Sequence, residues 1–133
     1  MKRKMISLFT LICAVVCSVL CFVSCKKEAE PVCIRVDEAV AQNTTLIDVM
    51  EDMQENGELT YTLSNGMVTE INGVRQGTNS YWMLYISDTE NVDTSEWGGT
   101  YEYEGQTLGS AMLGAESLVV KQGEIYVWVY QTF

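Results

Sequence analysis

The sequence predicts an α+β fold: a single small domain in which one N-terminal helix packs on an antiparallel β-sheet of about six to seven strands. Three observations predict it. Tyr81-Trp82-Met83-Leu84-Tyr85-Ile86 has no charge, no Gly and no Pro, and aromatic or β-branched residues fill four of its six positions. Both of its alternating faces are apolar, which suits a strand covered on both sides at the centre of a sheet. Ile125-Tyr126-Val127-Trp128-Val129-Tyr130 answers it, with aliphatic residues at odd positions and rings at even ones. The two are expected to lie side by side, the aliphatic face inward and the aromatic face on the other side. The third observation is a helical stripe: Leu46, Val49, Met50 and Met53 recur at the spacing of one helix face.

The chain opens with the basic residues Lys2, Arg3 and Lys4, followed by an uncharged, mostly apolar run from Met5 to Ser24. It closes on Phe22-Val23-Ser24-Cys25 and a charged stretch. Basic residue, apolar run, small residue and cysteine together resemble a bacterial lipoprotein signal. The implied division is a signal peptide over 1–24, a lipidated tether over 25–31 with Cys25 carrying the lipid, and a folded body over 32–133. An uncleaved anchor helix gives the same topology, because the basic end stays in the cytoplasm. The body is therefore expected outside, anchored to the bacterial cell membrane at the cell surface.

Within the body, Val32 to Val36 reads as a first strand, with Cys33 as a small buried hydrophobe lacking a disulfide partner. Thr45 and Asp48 approximate a capping box ahead of the apolar stripe, and Asn56-Gly57 stops the helix. Leu59–Leu63 and Met67–Ile71 read as a hairpin. A three-residue loop, pairing Leu63 with Met67 and Tyr61 with Thr69, keeps its apolar side together. Val74 to Asn79 reads as a polar loop. Ser87 to Thr100 is a long polar loop, and loops of that length in a small domain often carry function. Tyr101 to Gln106 reads as a half-exposed strand, Ser110 to Gly114 as a packed turn, and Ser117–Lys121 with Glu124–Gln131 as a final hairpin over Gln122-Gly123.

Composition narrows the chemistry. The chain has no His, which excludes Ser-His and Cys-His nucleophile pairs and His metal sites. With no activated-nucleophile motif or phosphate loop either, the chain is not expected to be an enzyme. Its net charge is −10, and beyond the leader five basic residues face eighteen acidic ones. Such a surface repels nucleic acid, which is not an expected partner. Two candidate sites remain. Tyr126, Trp128 and Tyr130, with Tyr81, Tyr85 and the loop residue Trp97, could hold a small-molecule ligand or a surface partner protein. Asp88, Glu90 and Asp93 lie close together in the long loop and offer carboxylates to a divalent cation such as calcium.

The segments Thr45-Leu46-Ile47-Asp48-Val49-Met50, Val68-Thr69-Glu70-Ile71-Asn72-Gly73, Tyr81-Trp82-Met83-Leu84-Tyr85 and Gln122-Gly123 before the ring-bearing strand occur in an order that resembles the DUF4430 family, the transcobalamin-like C-terminal domain. The resemblance implies one helix on antiparallel sheet. Because some relatives of that family clamp cobalamin between this domain and a helical one, it also implies that a corrinoid is a candidate ligand. The expectation is an anchored, ligand-binding lipoprotein. A cation-binding domain and an adhesive interaction module are the alternatives.

Overall fold

The computed structural model describes residues 29–133. The expected signal peptide and the expected lipid-bearing Cys25 lie outside the described residues. The elements run β1 (Val32–Arg35), α1 (Leu46–Glu55), β2 (Tyr61–Ser64), β3 (Met67–Ile71), β4 (Val74–Arg75), β5 (Ser80–Ile86), β6 (Thr100–Tyr103), β7 (Gln106–Ser110) and β8 (Ile125–Thr132).

The α+β expectation is corrected. Of the described residues 41% are strand and 10% helix, so the domain is β-rich with one short helix. Its strands form two antiparallel sheets, a five-stranded one in the order β1-β8-β5-β7-β6 and a three-stranded one in the order β2-β3-β4. Two local signals explain the excess of strand. Asn72 and Gly73 both have positive φ and turn the chain tightly, so Val74 and Arg75 pair back onto β3 as a strand rather than a loop. Glu104 and Gly105 do the same, and Gln106–Ser110 returns as β7 against β6. In the final segment the change is the reverse. Ser117–Lys121 does not pair with β8, which lies between β1 and β5. That segment runs past the helix entry instead, accepting Leu46 N–H at the Leu118 carbonyl and donating Val120 N–H to Thr44.

The central pairing is as expected. β5 and β8 match from Ser80↔Thr132 to Ile86↔Tyr126. Their faces are reversed relative to the expectation. The ring-bearing side of β8 is the inner one: Tyr126 is fully buried and Trp128 is 5% exposed, both in the main core with Ile34, Leu46, Met50, Val68, Ile71 and Trp82. The helix and the small sheet cover this side because only they present enough apolar surface to fill the space between bulky rings.

The aliphatic residues Ile125, Val127 and Val129 face a second cluster with Tyr85, Leu108, Cys33, Tyr101 and Tyr103. Cys33 lies on edge strand β1, and Tyr101 and Tyr103 on the opposite edge strand β6. Arg35 of β1 also forms an ion pair with Glu104 at the β6–β7 turn. The five-stranded sheet is therefore rolled until its two edges meet by side chains, and it makes its own second core.

The β2–β3 hairpin also departs from the three-residue loop. Asn65 and Gly66 both have positive φ and form a two-residue turn flanked by Ser64↔Met67. Leu63 then pairs with Val68, and a bulge between Thr62 and Leu63 resets the register so that Tyr61 pairs with Ile71. One extra residue restores the apolar face that an unbroken ladder would have scrambled. The helix is built as its sequence predicts. Thr45 caps it, the Asp48 side chain accepts Thr45 N–H in return, and Gly57 follows at φ 74°.

Candidate functional site

The expected ring residues do not form an open face. Tyr126 and Trp128 are in the core, Tyr85 is buried and Tyr81 is partly exposed. The tyrosine hydroxyls have internal partners. Tyr126 accepts the Lys121 N–H at 2.9 Å, Tyr85 donates to Gln131 Oε1 at 2.7 Å, Tyr130 donates to the Arg75 carbonyl at 3.1 Å and Tyr81 to the Thr78 carbonyl at 3.2 Å. Trp97 is 86% exposed at the far end of the long loop, separate from the others.

The three loop carboxylates serve the loop itself. Asp88 is 2% exposed and accepts Glu90 N–H, Asn91 Nδ2 and Lys121 Nζ at 3.1, 2.7 and 3.1 Å. Glu90 pairs with the same ammonium. Burial works against the charged form of Asp88, but the hydrogen bonds from Asn91, Lys121 and Glu90 outweigh it and hold the carboxyl below its ordinary range. Asp93 accepts Ser95 N–H at 2.9 Å, which folds its own turn, and hydrogen bonding from the Ser95 side chain and then its backbone holds the carboxyl below the ordinary range. Lys121 Nζ thus holds the place between Asp88 and Glu90 where a cation would have sat. Among the described residues no three acidic or thiol side chains converge as a metal site.

A cleft lies elsewhere, where β7 parts from β5. It has a volume of about 420 Å³. Trp82 and Leu84 of β5 and Trp128 of β8 line one side. Met67 on one rim and Met112 and Leu113 on the other are large apolar side chains left exposed. The rims approach each other at one end, where a Cβ on Gly114 would lie 3.7 Å from the Gly66 carbonyl oxygen and one on Gly66 would meet Glu116 Oε2 at 3.2 Å. Trp82 Nε1 donates to the Val74 carbonyl at 2.8 Å, which fixes the indole as part of the wall. Trp128 Nε1 is buried with no partner among the described residues, a cost of about 1–3 kcal/mol for an orphaned polar group.

Of the expected ligand residues only Trp128 lines this cleft. Met67, Trp82, Met112 and Leu113 were not expected there. A sequence signal existed for two of them: Met112-Leu113 is an apolar pair beside Gly114, in a turn with no partner for its side chains. Met67 gave none, because its exposure depends on the two-residue turn and the bulge that follows it.

The lining is mainly a pair of indoles, thioethers and aliphatic groups, with Asn65 and Ser110 as its polar side chains and no charged one. Such a surface binds by apolar contact and orients a ligand with few polar groups.

Comparison with known proteins gives one finding. No curated protein and no solved structure matches the chain. The family described as "Domain of unknown function (DUF4430)" matches residues 43–90. That stretch runs from the helix entry through the small sheet and β5 into the long loop, and it contributes Met67, Trp82 and Leu84 to the cleft. Over this segment the chain is similar to the DUF4430 family.

Proposed function

We propose that this is a membrane-tethered ligand-binding domain acting outside the cytoplasm, and that its ligand sits in the cleft between the β2–β3 turn and residues 110–115. The observation that carries the reading is the clustering of exposed apolar side chains, Met67, Met112 and Leu113, on the rims of a hollow walled by Trp82 and Trp128. Large apolar groups held in water around a concavity mark a recognition surface more often than a scattered surface residue does. Its volume of about 420 Å³ falls within the roughly 300–1,000 Å³ of small-ligand pockets. That size suits a drug-sized molecule or a short piece of chain. A whole corrinoid exceeds it and would be gripped only along one edge.

Methyl spectra of the full chain, labelled at methionine and titrated with indole as a neutral aromatic probe, test the binding half. Saturable shifts at Met67 and Met112, with the buried Met50 unmoved, are the expected result. Unmoved Met67 and Met112 methyls up to millimolar indole would refute it. The tether is tested separately, by incorporation of labelled palmitate in bacteria. Label on the wild-type chain and none on Cys25→Ser supports lipidation, and an equal signal from both rules it out.

A further inference from the structure

The backbone beside the cleft is incompletely paired. Ser87 N–H donates to the Ile125 carbonyl and Phe133 N–H to the Asn79 carbonyl, which sets the parity of the β5–β8 ladder. Odd-numbered residues of β5 exchange hydrogen bonds with β8. Even-numbered ones, Ser80, Trp82, Leu84 and Ile86, direct theirs to the opposite side. On that side β7 pairs only with Tyr85 and Ile86. One further bond, from Ala111 N–H to the Leu84 carbonyl, ends the ladder, and the Ser80 carbonyl is taken by Gly77 N–H. Among the described residues the Trp82 N–H and carbonyl and the Leu84 N–H are left without a backbone partner. These residues line the cleft.

A free stretch of strand edge facing an apolar hollow is the arrangement used to bind a peptide by strand addition. Charge selects the kind of peptide. No Lys or Arg lines the cleft, the Glu116 carboxylate lies against Gly66 at one end, and over residues 32–133 acidic residues outnumber basic ones by sixteen to three.

Building on the cleft-binding reading, we propose that the occupant is an extended basic polypeptide segment, which adds to β5 as a short antiparallel strand continuing the line that β7 abandons. In that placement the residue opposite Trp82 exchanges both backbone hydrogen bonds with it and turns its side chain to the same face. Apolar residues at that parity enter the hollow against Trp82, Trp128 and the rim methionines. The alternate residues stay outside and carry the positive charge.

The probe is an acetylated and amidated heptapeptide of alternating lysine and valine, added to the full chain in detergent and read by methionine methyl shifts and amide exchange. Strand addition predicts saturable shifts at Met67 and Met112 and slowed exchange at the Trp82 and Leu84 amides. N-methylation of the valine amides, which face β5 in this placement, is expected to weaken binding about tenfold or more, while methylation of the lysine amides leaves it unchanged. The double variant Met67→Lys with Met112→Lys, altered only at exposed positions, is expected to weaken the basic peptide and favour its glutamate–valine counterpart. Binding that ignores both N-methylations, or loss on lysine methylation instead, would overturn the antiparallel strand. No shift with the peptide while indole still moves Met67 and Met112 would overturn the peptide proposal and leave the cleft reading standing. No shift with either would remove both.

Discussion

Gly109 shows how closely the long loop is fitted to the sheet. A Cβ there would lie 2.7 Å from Val92 Cγ1, with the loop packed directly on the strand. Gly109→Ala is therefore expected to destabilise the fold by about 1–3 kcal/mol, and Val92→Ala in the same chain to recover much of the loss. Chemical denaturation of the single and double variants measures both. Asp88 ties the same loop down from its other end. Asp88→Ala removes the acceptor for three donors and should cost about 2 kcal/mol. The sign of its pH dependence follows from the depressed carboxyl. Its folded value lies below the unfolded one of about 3.9, so its contribution is complete above that pH and is lost as pH falls through the folded value. An acid titration of stability should lose part of its slope in the Asp88→Asn variant. Much of this lay outside what the sequence could tell. Asp88, Glu90 and Asp93 read as possible cation ligands because the true partner of the first two, Lys121, is 33 residues from Asp88 in the chain and reaches it only through the fold, while Asp93 serves its own turn. Cys33 read as a small buried hydrophobe, but its place in the fold was not legible. It is half-buried, in the second cluster, and burial pushes its thiol up, so slow alkylation at neutral pH is expected.

At the scale of elements, local signals were reliable where they closed on themselves. The helix was legible because its cap, stripe and stop lie within thirteen consecutive residues, Thr45 to Gly57, and each satisfies a neighbour. Thr45→Ala should cost about 1 kcal/mol by thermal or chemical melting. The hairpin was half-legible. Asn65-Gly66 is a strong turn signal, yet the apolar pattern argued for a longer loop, because a bulge cannot be read from alternation alone. Gly66 sits at φ 77°, so Gly66→Ala is expected to destabilise by about 1–2 kcal/mol, and more than any change at the flexible Glu116 that touches it. The strands β4 and β7 escaped because they are short or polar on one side. Their turns, Asn72-Gly73 and Glu104-Gly105, carried the information instead. The cleft escaped for a related reason: it exists where a ladder stops, and sequence records where pairing is favourable better than where it ends.

For the whole molecule, the two central strands were identified correctly and their surroundings were not. An alternating strand states that its faces differ. It does not state which face other elements will cover, and here the rings went inward because the helix and small sheet lie over them. Leu108 distinguishes a rolled sheet from a flat one. It is fully buried in the second cluster although no helix or second sheet takes part in that cluster. Leu108→Ala is therefore expected to cost about 2–5 kcal/mol, where a flat sheet with that face in water would lose far less. Reversing Arg35 to Glu tests the seam more gently, since the pair it breaks with Glu104 is exposed to solvent and screened by it.

The position of β8 in the chain has a consequence for biogenesis. It follows every other strand in sequence, yet it joins β1 to β5 and so holds together elements made much earlier. At roughly 5–20 residues added per second, a ribosome spends several seconds between completing Val32–Arg35 and supplying the strand that receives it. During that interval the nascent polypeptide lacks its central staple and cannot lock into its final form. A chain that stays loose until late in synthesis is one that a narrow export channel can still thread.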